Sequence, residues 1–260
     1  MTRAIWKVEP GESVELNERD AGSTNGAPGD RAATDAAIPE LHKRMLDLQN
    51  RLWAEGSRSV LVVLQGIDAA GKDGTISHVF RGLNPLGTKV AVFKVPTSEE
   101  LAHDFLWRVH ARCPAAGEVV IFNRSHYEDV LAVRVHELVS EATWRARYGR
   151  INEFEALLSD ARTTVVKLFL HVSKKEQGER LDERLADPSK RWKFQGADVA
   201  ERARWDDYRA AFEEMLARTS TPTAPWHVVP ADHKWYRNWV VSSILTDVLT
   251  EMDPRYPDDR

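Results

Sequence analysis

SVLVVLQ (Ser59–Gln65), followed without a break by GIDAAGKDGT (Gly66–Thr75), decides the fold of this chain. The first seven residues are almost all aliphatic, as expected of a strand buried on both faces of a parallel sheet. The next ten hold a G-x-x-x-x-G-K loop and open a helix whose apolar stripe is Ile76, Val79, Phe80 and Leu83. Glycines let such a loop curl until its N–H groups point inward at phosphate oxygens, and the helix N-terminus adds a favourable field. Lys72 brings a mobile positive charge to phosphates farther along. Three fixed letters alone would arise about 0.08 times by chance in a chain of this length. Their place between a buried strand and an amphipathic helix is what makes them specific. Gly66, Ala69, Ala70, Gly71, Lys72, Asp73, Gly74 and Thr75 are accordingly assigned to phosphate binding.

Two residues depart from the usual loop. Asp73 stands where Ser or Thr commonly serves magnesium, and Asp68 puts a carboxylate inside a phosphate cradle. A carboxylate there is costly unless a metal or a proton offsets it, which points to a function for Asp68.

Outward from this centre, Lys89–Phe93, Glu118–Phe122, Thr164–His171 and Trp226–Val229 repeat the strand pattern. Between them run helical stripes: Leu101, Phe105 and Val109, opened by a Thr97–Glu100 capping box; Trp205, Tyr208, Phe212 and Met215; and Val241, Leu245, Val248 and Met252. Strands alternating with helices imply an α/β fold with a parallel sheet covered on both sides. Before the first strand, Leu41, Met45, Leu48 and Leu52 recur at helical spacing, with order expected to begin near Ile38–Pro39. Residues 1–37, polar and glycine-containing over 20–36, read as an N-terminal arm and flexible tether, and 38–260 as the folded domain.

The third strand runs into FNRSHYED (Phe122–Asp129). Its strand-end position is Asn123, where P-loop enzymes commonly place an acid for magnesium. Arg124 is suited to grip phosphate with its planar fork, while His126 reads as a packed histidine. Farther on, Ser173 with Glu176 caps a charged helix carrying Arg180 and Arg184 on one face. Asp187-Pro188 ends it, and Lys190, Arg191 and Lys193 follow with no acid between Pro188 and Gly196. That run, within a segment of about 173–200, sits where P-loop kinases carry a lid that closes over phosphates.

The whole chain of 260 residues has 36 basic and 40 acidic side chains, a net charge of −4. A broad basic face for nucleic acid is thereby excluded as an expectation, whereas a polyanion held at one local site is not. The single cysteine, Cys113, excludes an intrachain disulfide and a multi-cysteine zinc site. With no apolar run long enough for a leader or a membrane span, a cytoplasmic protein without a membrane partner is the default.

GIDAAGKDGT, FNRSHYEDVL and RLADPSKRWKF…WDDYRAAFEEML, in that order, resemble the family-2 polyphosphate kinases over about Leu41 to Met252. The resemblance implies a P-loop kinase-like three-layer fold with a central five-stranded parallel sheet and a helical lid. It implies reversible transfer of a terminal phosphoryl group between inorganic polyphosphate and a nucleotide, with Mg2+, by a homo-oligomer, tetramer or dimer. Carried over by motif, Asp68, Lys72 and Arg124 are the catalytic residues, and Lys190, Arg191 and Lys193 fall in the lid. Asn123, where much of the family has aspartate, withdraws any metal role borrowed from that position. Asp68 and Glu128 become the candidate magnesium ligands, and Glu128, Asn123 and Lys94 the candidate nucleotide contacts. NRSHYEDVL resembles the branch that accepts nucleoside mono- and diphosphates, so AMP and ADP are the expected acceptors, with guanine nucleotides left open. Two other readings stand beside this one: an ATP-dependent nucleotide or small-molecule kinase on the same scaffold, and a non-catalytic phosphate-binding protein.

Overall fold

β1 (Ser59–Gln65) is buried at every residue because it occupies the middle of the sheet. Around it lie β2 (Thr88–Val92), β3 (Val119–Asn123), β4 (Thr163–His171) and β5 (Trp226–Pro230), all parallel, in the order β2-β3-β1-β4-β5. The computed structural model describes residues 2–189, 191 and 197–257. Val60, Val62 and Leu64 of β1 point to one hydrophobic core, and Leu61 and Val63 to the other, as the two-residue strand period requires. The Arg31–Glu55, Lys72–Val79 and Lys234–Met252 helices cover the first face. Glu141–Asp160 and Trp205–Thr219 cover the second. The result is the expected three-layer α/β architecture.

Each expected strand is present within a residue of its expected ends, but β2 is not buried on both faces. It forms the sheet edge, where Val90 and Val92 are exposed. The stripe Leu101, Phe105, Val109 does not make one helix either. The capping box holds only a single turn, Ser98–Leu101, and a second turn, Trp107–His110, follows separately. The Glu141–Asp160 helix has no counterpart in the sequence reading. No helix among the described residues is long and apolar enough to cross a membrane.

The N-terminal segment is corrected most. The first long helix begins at Arg31, not near Pro39, and is capped by Asp30, whose Oδ1 accepts from Ala33 N at 2.9 Å. Pro39 lies inside it. Upstream, Val8, Val14 and Leu16 are buried in the second-face core. Val8 N bonds Trp226 O at 2.8 Å, His171 Nε2 donates to Arg19 O at 2.9 Å, and Asp232 N bonds Ala21 O at 3.1 Å. Tyr236 Oη donates to Asn25 O. These few apolar and backbone contacts, far apart in sequence, fix a strap along the β4–β5 side that composition reads as a tether.

The connections leaving β1 and β3 run in opposite directions, one out to β2 and the other across β1 to β4. The two strands are neighbours, Leu64 facing Asn123 in register. A crevice therefore opens beyond their carboxyl ends, the position where parallel α/β sheets bind ligands.

Candidate functional site

The loop after β1 takes backbone conformations that few side chains tolerate: φ is +153° at Gly66, +66° at Ala69 and +106° at Gly71. A Cβ on Gly71 would lie 2.0 Å from Arg237 Nη1, so this glycine is required by space as well as by φ. Ala70 N is used within the turn, bonding Ile67 O at 3.1 Å. Among the described residues the N–H groups of Asp68, Ala69 and Gly71 have no hydrogen-bond partner, which leaves them for an anion. Thr75 is turned inward, its Oγ1 donating to Gly71 O at 3.1 Å, and Gly74 packs near Arg237.

Lys72 Nζ folds over this loop and donates to Gly66 O at 2.6 Å and Ile67 O at 3.3 Å. Burial, with Arg124 repelling it from nearby, brings its ammonium down to about 8. Arg124, at φ +59°, projects from the end of β3 between two acids. Its Nη2 lies 2.6 Å from Asp68 Oδ1 and its Nη1 3.3 Å from Glu128 Oε2. Burial pushes the Asp68 carboxyl up, but Lys72 and Arg124 outweigh it and hold the group below the usual carboxylate range. Burial likewise opposes the Arg124 charge, and Glu128 and Asp68 more than restore it. The four groups form one cluster of alternating sign at the mouth of the crevice.

Asn123 and Asp73 find a partner in each other, Asn123 Nδ2 donating to Asp73 Oδ1 at 2.9 Å. The strand-end amide thus ties β3 to the first turn of the phosphate-loop helix. Lys94 stands exposed two residues past β2, its backbone oxygen accepting from Arg108 Nη1 at 2.8 Å. It shares the carboxyl end of the sheet with the cluster without joining it.

The helix Lys174–Ala186 begins and ends as its sequence requires, with Ser173 Oγ accepting from Glu176 N and Asp187 as its last cap. The expected box is half made, because Ser173 N bonds Asp232 Oδ1 at 2.8 Å while Glu176 Oε1 accepts from Arg180 Nε at 2.7 Å. Arg191 is exposed, with Nε donating to Leu185 O at 3.1 Å. Lys190 and Lys193 lie outside the described residues.

Sequence reasoning missed the residues that hold the loop from behind. Arg180 is 5% exposed, and its Nη1 donates to Ala69 O at 3.1 Å and Ala70 O at 2.9 Å. Its Nη2 donates to Ala231 O and Asp232 O, so one guanidinium joins the lid helix, the loop and the end of β5. Gln177 Nε2 adds a bond to Asp68 O at 3.2 Å. Arg237 is buried beneath the loop, and desolvation with repulsion from Arg180 pulls it down to about 10. Arg180 was visible only as a residue sharing a helix face with Arg184; nothing local ties Gln177 or Arg237 to a loop more than a hundred residues away.

Asp68 and Glu128 offer hard carboxylate oxygens to a divalent cation, and the described residues hold no cluster of three or more potential ligands. That donor set suits Mg2+, which takes one or two carboxylates and completes its shell with water and substrate phosphates. Chemically, the arrangement can bind a phosphate chain end, present a guanidinium to a moving phosphoryl group, and hold two acids beside it.

Comparison with known proteins points to one family. The model of the Polyphosphate kinase 2 (PPK2) family matches residues 29–257. An AMP/ADP-polyphosphate phosphotransferase of Meiothermus ruber is 52% identical over 252 residues, covering 97% of this chain and 94% of that protein. An ADP-polyphosphate phosphotransferase of Rhodopseudomonas palustris is 44% identical, with coverage of 83% and 79%. Among solved structures, Polyphosphate Kinase 2 from Arthrobacter aurescens superposes with a TM-score of 0.96 at 44% identity, covering 99% of this chain and 92% of that one.

Proposed function

The chain belongs to the polyphosphate kinase 2 family, and from that premise we propose that it transfers the terminal phosphoryl group of inorganic polyphosphate to AMP and ADP. The observation that carries this reading is Arg124, held between Glu128 and Asp68 of the Gly66–Lys72 loop, beside the Lys72 that folds over the same loop. Phosphoryl transfer needs positioning and neutralisation more than covalent chemistry. The loop amides of Asp68, Ala69 and Gly71 bind the donor's end, and Lys72 moves from its own loop carbonyls to the incoming oxygens. Arg124 stabilises the charge that spreads over the moving group. A nucleotide phosphate is already ionised near neutral pH, so no strong base is required. Asp68 orients Arg124 and, with Glu128, would hold Mg2+, whose charge offsets that of donor and acceptor.

Glu128 and Asn123 line the acceptor side, toward β2 and β3, with Lys94 at its outer edge. Lys190, Arg191 and Lys193 screen the donor chain from the lid. A homo-oligomer, dimer or tetramer, is the working assembly, to be checked by light scattering. The decisive assay incubates the protein with Mg2+, long-chain polyphosphate and, side by side, AMP, ADP, GMP and GDP. Formation of ADP from AMP and of ATP from ADP is expected. Absence of both products, with turnover only when ATP is the donor, would return the ATP-dependent kinase reading.

A further inference from the structure

A cavity of about 310 Å³ opens on the β4 side of the phosphate loop, opposite the flank that holds Asn123 and Glu128. That volume lies at the small end of small-molecule sites, about 300–1,000 Å³. Its apolar walls include the rings of Phe169, Trp205 and Phe212, with Phe169 and Phe212 4.7 Å apart between centroids. Ile67, the second residue of the phosphate loop, is also part of the wall. Arg19, Lys174 and Arg209 stand around it with one acid, Asp20. Arg19 is paired with Glu12 at 2.6 Å, and Arg209 with Asp206 at 3.3 Å. The N-terminal strap supplies Leu16 to Ala21 as one side, and His171, donating to Arg19 O, pins that side in place.

Inorganic polyphosphate has no group that an aromatic cavity would recognise. A flat heterocycle does, since every nucleobase has a face to stack and aromatic side chains bind such faces at about 1–3 kcal/mol each. The helix Trp205–Thr219 turns Trp205, Arg209 and Phe212 to the cavity, while Tyr208 on the same helix interacts electrostatically with Glu128 and Asp68 at the cluster. Cavity and cradle are therefore neighbours, sharing Ile67 as a common wall.

We infer that this cavity takes the base of a nucleoside triphosphate whose phosphates occupy the Gly66–Lys72 loop, so that the nucleotide excludes polyphosphate from the donor side. The inference rests on the reading of that loop as the polyphosphate site. It makes ATP, the product formed from ADP, a ligand of two flanks: the acceptor flank it leaves and the donor flank it blocks. No bond is made or broken in the second.

The test measures initial rates of polyphosphate-driven ADP phosphorylation at saturating ADP and constant free Mg2+, with polyphosphate and added ATP both varied. Saturating ADP suppresses binding of ATP at the acceptor flank, so the remaining inhibition reports the donor side. The expected result is a KM for polyphosphate that rises with ATP while kcat holds. Trp205→Ala and Arg209→Ala are expected to weaken the inhibition about tenfold, the loss of roughly one stacking contact. Arg209 is partly exposed, so its variant carries the test should Trp205→Ala fail to fold. Inhibition that vanishes at saturating ADP, or that is unchanged in both variants, overturns the inference. A protein that makes no ATP from polyphosphate at all would instead overturn the function it rests on.

Discussion

Among the described residues, the buried Lys167 on β4 and the Lys72 that opens the phosphate-loop helix each sit in a cluster with carboxylates, and the two clusters are built to opposite ends. In the core, Lys167 on β4 is fully buried and donates to Glu155 Oε2 at 2.6 Å, to Tyr127 Oη at 3.0 Å and to Thr219 O. Glu155 Oε1 in turn accepts from Tyr127 Oη at 2.7 Å and lies 3.2 Å from His126 Nε2. Burial would push the Glu155 carboxyl up, but Lys167 and His126 hold it low, and the ammonium has three oxygens around it. At the crevice, Lys72 rests on two loop carbonyls, and Asp68 and Glu128 share a guanidinium that solvent still reaches. A saturated cluster is structural, whereas one whose charges can exchange partners is available to a substrate. The two are linked: Tyr127 and His126 belong to the turn His126–Asp129, which also carries Glu128 and begins two residues after Arg124.

Breaking the buried cluster should have the largest effect. Lys167→Ala strands Glu155 without its cation and is expected to cost about 3–5 kcal/mol of folding free energy. Replacing both members, Lys167→Met with Glu155→Leu, should recover much of that loss, because an apolar pair leaves no charge unpaired. Urea unfolding of the two variants checks this; equal losses would show that the cluster is not a charge pair in energetic terms.

Lys72→Ala should invert the pattern. Removing one charge that follows the moving phosphoryl group is expected to lower kcat/KM for polyphosphate about 10²–10³-fold, or roughly 3–4 kcal/mol. Folding stability should hold or rise, since a desolvated ammonium is lost. Near-normal turnover in this variant would remove Lys72 from the mechanism.

The contrast also explains what could be read from sequence. Gly66–Lys72 and Phe122–Asp129 were legible because local spacing carries their chemistry, and the strand–helix alternation placed both at the carboxyl end of one sheet. Arg180 and Gln177 were not, because their task is defined by loop carbonyls more than a hundred positions away. Lys167 sits within an aliphatic strand as an ordinary interruption, and only tertiary structure shows that it meets Glu155. The N-terminal strap was misread for the same reason: Val8, Val14 and Leu16 are isolated in a polar segment, and each is buried by a distant element. Composition measures what a segment can bury by itself, not what another part of the fold can cover.

A pH series sharpens the comparison at Lys72. Its folded value is about 8 against an ordinary 10.5, so its stability contribution is complete above the higher value and lost as pH falls through the lower. Stability of the free protein should therefore rise with pH across that window. Phosphate binding needs the ammonium and runs the other way, with KM for polyphosphate rising about fivefold from pH ~8 to ~9. Lys72→Arg, always charged, should flatten both slopes. Parallel slopes in the unsubstituted protein would mean that another group titrates.

The smallest effect is expected from the acid that both clusters help to place. Glu128 meets Arg124 at 3.3 Å and rises from the turn anchored by Tyr127 and His126. Glu128→Asn removes the charge and shortens the side chain by one methylene, so Arg124 keeps Asp68 as its one carboxylate partner in the pair of bridges. A freer Arg124 should favour the acceptor with more phosphate charge. The ratio of kcat/KM for ADP to that for AMP is expected to rise about threefold, worth roughly 0.7 kcal/mol, with folding stability unchanged. If the two rates fall together, Glu128 serves the transferring phosphate equally in both reactions and does not select the acceptor. If stability falls instead, the residue belongs with Glu155, and the line between the open and the saturated cluster lies one turn nearer the crevice than the hydrogen bonds place it.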